Sequence, residues 1–201
     1  MIFVLDFETT GLNPYHDDMI ECCIKVLNSD DIFTSLIKTD KRLSEKVVQI
    51  THITNDKLER DGLQYKLFLE KLMRFMLNNV KNENIYIVSH NGTTFDFIFL
   101  RRCFNDYIKI SSNEDEVIKL LEIKNRILYI DTLLLTRKML PNNYSYRQSS
   151  LLKYFGLKND NEHRAFGDVL SLELLYKKLC DILSKELDVS NPLNIIKYLD
   201  I

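Results

Sequence analysis

Tryptophan is absent from this 201-residue chain, and only 5 glycines and 3 prolines punctuate it. No Pro/Gly-rich linker, low-complexity tract or internal repeat breaks the sequence, so one domain over residues 1–201 is expected. No apolar run approaches the ~20 residues that a membrane helix requires. No basic stretch followed by an apolar one precedes the first strand, so a secretory leader is not expected. The four cysteines (Cys22, Cys23, Cys103 and Cys180) form no CxxC pair. They read as reduced core thiols, which excludes a zinc knuckle or disulfide scaffold and predicts a soluble intracellular protein, cytoplasmic or nuclear. Positive charge is not in excess either: 27 Lys and Arg face 29 Asp and Glu, a net charge of −2. That argues against a protein that holds nucleic acid simply by being basic. It leaves room for an enzyme whose carboxylates are neutralised by bound cations. The basic pairs Lys41-Arg42, Arg101-Arg102 and Arg137-Lys138 read as solvated surface.

What is present is ordinary globular material, 45% hydrophobic and 28% charged, in a recognisable order. Residues 2–8 read as a strand ended by the Gly11–Pro14 turn. Met19–Leu27 and Ile32–Lys38 read as two further strands, joined by the turn-like Asn28-Ser29-Asp30-Asp31. Helical periodicity follows from a cap near Asn55 and again over Gln64–Leu77. Ile85–Ser89 is a short buried strand, with a helix from about Phe95 to Asn105. Arg126–Ile130 is a strand, and Thr132–Leu140 a helix stopped by Pro141. Helices over 147–155, 165–184 and about 192–199 complete the pattern. Three strands, then strands alternating with helices, predict an α/β fold with a central mixed β-sheet flanked by helices.

The chemistry is concentrated at a few strand and helix ends. In Ile2-Phe3-Val4-Leu5-Asp6-Phe7-Glu8 a buried strand acquires two carboxylates two residues apart, which therefore share one face. Their repulsion under partial burial calls for a cation. Asp96 opens a helix after the His90-Asn91-Gly92 turn; alone it reads as a residue set against the helix dipole. Asp168 lies near the start of the helix that follows His163, itself in the polar loop after Lys158; alone, His163 reads as a surface histidine. Asp131 reads as a helix N-cap. Together, Asp6, Glu8, Asp96 and Asp168 gather at one edge of a sheet, an arrangement suited to two divalent ions about 3.5–4 Å apart. Oxygen-only ligation favours Mg²⁺ or Mn²⁺ over zinc.

Three segments carry a family resemblance. Asp6-Phe7-Glu8-Thr9-Thr10-Gly11-Leu12 is similar to the first motif of the DEDDh 3′–5′ exonucleases, the DnaQ-like group that includes a polymerase proofreading subunit and the three-prime repair exonucleases. His90-Asn91-Gly92-Thr93-Thr94-Phe95-Asp96-Phe97 resembles the second motif, with the spacer of the repair enzymes. His163-Arg164-Ala165-Phe166-Gly167-Asp168 resembles the third. Asp131-Thr132-Leu133 and Leu151–Gly156 match connecting elements. Ile50-Thr51-His52-Ile53-Thr54 resembles the segment before the first helix, with His52 where glycine is usual. The resemblance covers about residues 2–180 and implies a ribonuclease H-like fold.

It also implies roles. Asp6, Glu8 and Asp168 are ligands of a first metal, Asp6 bridges to a second, and Asp96 helps to hold that one. His163 is the general base. The backbone of Thr9, Thr10, Gly11 and Leu12 meets the terminal nucleotide, with Gly11 permitting close approach and Leu12 offering an apolar edge. Phe7 belongs to the same substrate-contact segment, although it faces away from the acids and reads as core. Asn91 is a substrate candidate with an equal claim to being a turn residue. Tyr144, Tyr146 and Arg147 are candidates for stacking or phosphate contact. The expected activity is metal-dependent release of nucleoside 5′-monophosphates from a 3′ end, DNA being favoured. The alternatives are a small-RNA exonuclease and a catalytically silent module that binds nucleic-acid ends or a polymerase. The segment Asn191–Ile201 is apolar enough to dock a polymerase or a second copy in a homodimer, or to pack on its own domain.

Overall fold

The computed structural model describes residues 1–81, 83–157 and 164–199. Five strands form one sheet in the order β3-β2-β1-β4-β5: β1 (Ile2–Thr9), β2 (Met19–Val26), β3 (Ile32–Leu36), β4 (Ile85–Ser89) and β5 (Ile127–Asp131). β1 pairs antiparallel with β2 and parallel with β4; β5 adds in parallel beside β4. The predicted mixed α/β sheet is therefore present, with helices on both faces.

Alternation along β1 decides which layer each side chain joins. Phe3, Leu5 and Phe7 enter a core with Phe68, Leu72, Phe99 and Phe104 from α3 (Tyr65–Asn79) and α4 (Asp96–Ile110). Val4 enters the opposite core with Val169, Leu172 and Tyr176 of α8 (Ala165–Leu183). Asp6 and Glu8 continue the Val4 face, toward α8. The same rule places Cys22 in the first core and Cys23 in the second. Cys22, Cys23 and Cys103 are buried free thiols, and Cys180 is half-buried.

Two helices are additional to those the sequence predicts. α1 (Glu45–Thr51) starts where the Ser44 hydroxyl accepts from the Val47 N–H. α5 (Glu114–Asn125) starts where Asn113 accepts from the Glu116 N–H, behind an acidic first turn that suits the helix dipole. The cap of α2 (Asn55–Asp61) is Thr54, not Asn55. The Asn55 side chain instead accepts from the Leu43 N–H and ties the preceding loop down. α6 (Thr132–Met139) and α7 (Gln148–Tyr154) follow the predicted bounds within one residue at most ends. α9 (Pro192–Leu199) buries Ile195 completely and packs against α6 and β5 of its own chain. Among the described residues, no helix is long and apolar enough to cross a membrane.

Candidate active site

β1 carries its two acids to the end of the sheet, where pairing with β2 slips between Glu8 and Thr9. Such an irregularity turns the strand and re-aims its last side chains. α8 arrives on the same face, and Asp168 lies on its first turn, its N–H donating to the Arg164 carbonyl at 2.9 Å. Carboxylate oxygens of Asp6, Glu8 and Asp168 then lie within 4.8 Å of one another. Unit charges at that spacing repel by roughly 3 kcal/mol per pair at an effective dielectric of ~20.

Asp96 stands outside that set of three, near Asp6, at the start of α4, which packs on the other face. It is buried and held at both oxygens: Oδ1 accepts the Phe7 N–H at 3.0 Å, and Oδ2 the Ser89 hydroxyl at 2.6 Å. The charges respond as crowding predicts. Burial, then the Asp96, Glu8 and Asp168 charges, pushes Asp6 far above the usual carboxylate range. Burial, then Asp168 and Glu21, raises Glu8 to about 8, with Arg164 opposing. Burial raises Asp96 to about 7 against the two hydrogen bonds that favour its anion. Asp6, Glu8 and Asp168 form a converging oxygen donor set, the raised pKa values of Asp6 and Glu8 reflect its crowding, and a hard divalent ion fits it.

Two supporting contacts lay beyond sequence reasoning. Glu21 stands opposite Glu8 on β2 and is buried. It accepts from Arg164 Nε at 3.0 Å, Arg164 Nη2 at 2.6 Å and the Ala165 N–H at 3.1 Å, fastening the start of α8 to the sheet. Asp131 is the predicted N-cap, accepting from the Leu133 N–H, but it also accepts from the N–H groups of Asn91 and Thr93. It thereby holds the turn that presents Asp96. In that turn Asn91 has φ 64° and its Oδ1 accepts from the Thr94 hydroxyl, so this oxygen serves the loop itself. A Cβ on Gly92 would lie 2.7 Å from the Phe97 ring and from Ser89. The buried His90 ring completes the anchor. Its Nε2 donates to the Tyr146 carbonyl at 2.8 Å, leaving Nδ1 to accept from the Thr132 hydroxyl at 2.9 Å.

Beside Glu8 opens a cavity of about 440 Å³, lined by Phe7 through Leu12, by Phe95, and by Lys46, Val47, Ile50 and Thr51 of α1. The segment expected to contact substrate is thus brought to one wall, with differing side-chain fates. Phe7 is 3% exposed and packs on Phe99, as its core reading predicted. Thr9 is buried, and Thr10 bonds to Asp17. Leu12 is 86% exposed. A Cβ on Gly11 would lie 2.5 Å from Asp17 Oδ2, so its lack of a side chain also makes room for this turn. The opposite wall is α1, so Ile50 and Thr51 end a helix of their own; the Ser44 cap before Val47-Val48 was the available signal. Asn91 does not line this cavity. His163 lies outside the described residues, immediately before Arg164.

The sequence model of the exonuclease family matches residues 3–175. The chain is 32% identical over 185 residues to the PolC-type DNA polymerase III of Thermotoga petrophila, covering 90% of this chain and 12% of that protein. It is 27% identical over 195 residues to the PolC-type enzyme of Bacillus subtilis, covering 95% and 12%. The chain therefore spans about an eighth of the length of these curated relatives. Among solved structures, E. coli exonuclease I in complex with a dT13 oligonucleotide superimposes with TM-score 0.69 at 18% identity, over 92% of this chain and 42% of that one. The zinc-bound form of its complex with single-stranded DNA gives TM-score 0.67 at 19% identity over the same shares.

Proposed function

This chain belongs to the exonuclease family and carries a 3′–5′ exonuclease domain, and from that premise we propose that it removes nucleotides from the 3′ end of single-stranded DNA with a divalent metal, Mg²⁺ or Mn²⁺. The observation that carries this reading is the convergence of Asp6, Glu8 and Asp168, of which Glu8 also lines the cavity of about 440 Å³. The PolC-type relatives are DNA polymerases, and the exonuclease I structures hold DNA, which favours DNA over RNA here. All 201 residues are read as one exonuclease domain, and any polymerase partner or homodimer belongs to the same proposal.

Asp6, Glu8 and Asp168 would hold one ion, and Asp96 with Asp6 a second. Divalent ions bound there supply charge neutralisation and Lewis acidity for phosphodiester hydrolysis. The remaining work belongs to the chain. The Phe7 N–H and the Ser89 hydroxyl fix the Asp96 carboxylate in one orientation. The Glu21–Arg164 pair keeps Asp168 in range of β1. Leu12 and Ile50 clasp the terminal base, and Phe95 forms part of the cavity's wall. His163 takes the proton from the attacking water, a role open to an imidazole side chain.

The test uses 5′-labelled single-stranded DNA and RNA with Mg²⁺, with Mn²⁺ and with EDTA, beside the Asp6→Ala protein. The expected result is a ladder shortening from the 3′ end on DNA, absent with EDTA and in the variant. Faster shortening of RNA would reassign the substrate. Intact strands throughout would instead leave an end-binding module.

A further inference from the structure

Twenty residues before Asp168, the Gln148 side chain donates to the Asp168 carbonyl at 2.9 Å, so the start of α7 lies against the acid cluster. His90 secures the preceding segment from the other side through the Tyr146 carbonyl, and the Tyr146 hydroxyl donates to the Leu140 carbonyl. On this fixed base opens a concave surface of about 760 Å³, lined by Asn143, Tyr144, Ser145, Arg147, Ser150, Lys153 and Tyr154. Among the described residues, no acidic one lines it. Tyr144 is wholly exposed and Tyr154 is 59% exposed. Among the described residues, neither the Arg147 guanidinium nor the Lys153 ammonium has a carboxylate partner. Other cations are paired: Lys41 and Arg102 with Asp18, and Arg164 with Glu21.

We propose that this surface binds the stretch of single-stranded DNA upstream of the terminal nucleotide, its bases stacking on Tyr144 and Tyr154 and its phosphates pairing with Arg147 and Lys153; the inference rests on the exonuclease reading above. Exposed aromatic rings interleaved with unpaired cations suit an unstacked strand, because every base offers a π-face and every linkage a charge. The acid cluster repels the phosphate backbone wherever cations do not cover it. A cationic surface one hydrogen bond from Asp168 would hold the strand as its end is shortened.

The test compares a dithymidylate with an octathymidylate under Mg²⁺, using the full chain. The dinucleotide fills the terminal pocket alone, whereas the octanucleotide reaches the α7 surface. For wild type, KM is expected to be lower on the octanucleotide. Tyr144→Ala with Arg147→Ala should raise that KM roughly tenfold with kcat held, a penalty confined to the longer strand. Arg147→Ala alone should flatten the log KM–log salt slope by about 0.7 on the octanucleotide. Tyr144→Phe and Arg147→Lys should restore most of the loss, which a folding defect would not allow. An equal change on both substrates, or none on either, overturns the proposal. A wild type that cleaves neither overturns the exonuclease reading itself.

Discussion

Replacing Glu21 by alanine should destabilise this protein by about 2–3 kcal/mol, although Glu21 belongs to none of the sequence motifs. The carboxylate is 2% exposed and accepts three hydrogen bonds, two from Arg164 and one from the Ala165 N–H. Removing it orphans a buried backbone donor, which costs about 1–3 kcal/mol. Breaking a fully buried ion pair costs about 3–5 kcal/mol, but the Arg164 side chain is 35% exposed and recovers part of its hydration. Against this, loss of the Glu21 charge relieves Glu8 and Asp6, whose protonation it favours, by something on the order of 1 kcal/mol. The net figure corresponds to a fall in melting temperature of about 5–10 °C for a chain of this size. Urea titration in EDTA measures it without linkage to metal binding, and an unchanged m-value would show that the two end states are the same. Glu21→Gln keeps one oxygen for the Ala165 N–H and should lose about half as much. A cost below about 0.5 kcal/mol for Glu21→Ala would refute the idea that this pair fastens α8 to the sheet.

The carboxylate cluster makes the metal-free protein pH-sensitive in a definite direction. Asp6, Glu8 (raised to about 8) and Asp96 (raised to about 7) titrate above the ~4 of an unfolded chain, so the unfolded state loses its protons first. Their contribution is complete below about pH 4 and is lost as pH rises to about 8; Asp6→Asn should therefore melt higher than wild type at pH 8 in EDTA. Thermal melts in which the variant gains nothing at pH 8 relative to pH 4 would contradict this. His52 is exposed and ends α1 at φ 56°, a left-handed conformation costly for a residue with a Cβ. His52→Gly should raise stability by about 0.5–1 kcal/mol in urea titration, and a loss would mean that the imidazole makes a contact of its own. His163→Ala should lower the cleavage rate by ~10²-fold or more with metal affinity retained. Calorimetric titration that found the affinity gone would make His163 a ligand instead of the base.

Local patterns carried much of this architecture. The alternation Ile2-Val4-Asp6-Glu8 needs only the period of a strand to put both acids on one face, and β1 does so. The apolar periodicity of α3 and α8 and the N-cap at Asp131 are likewise properties of consecutive residues. α1 and α5 carried short-range signals too, in Ser44 and in Asn113 with its acidic first turn, but each has few buried residues and so little periodicity to read.

What the sequence determined by itself was the chemistry available and the face on which each strand presents it, because those follow from side-chain type and a fixed backbone period. Tertiary structure decided which distant residues share a site. Glu21 meets Arg164 across 143 positions, Asp131 holds Asn91 from a neighbouring strand, and α1 closes the cavity opposite Leu12. It also decided the charge state of the cluster. Asp6, Glu8 and Asp96 are ordinary acids in sequence; brought together and taken from water, all three have raised pKa values, because burial and mutual repulsion both depend on distances that the chain sets only when folded.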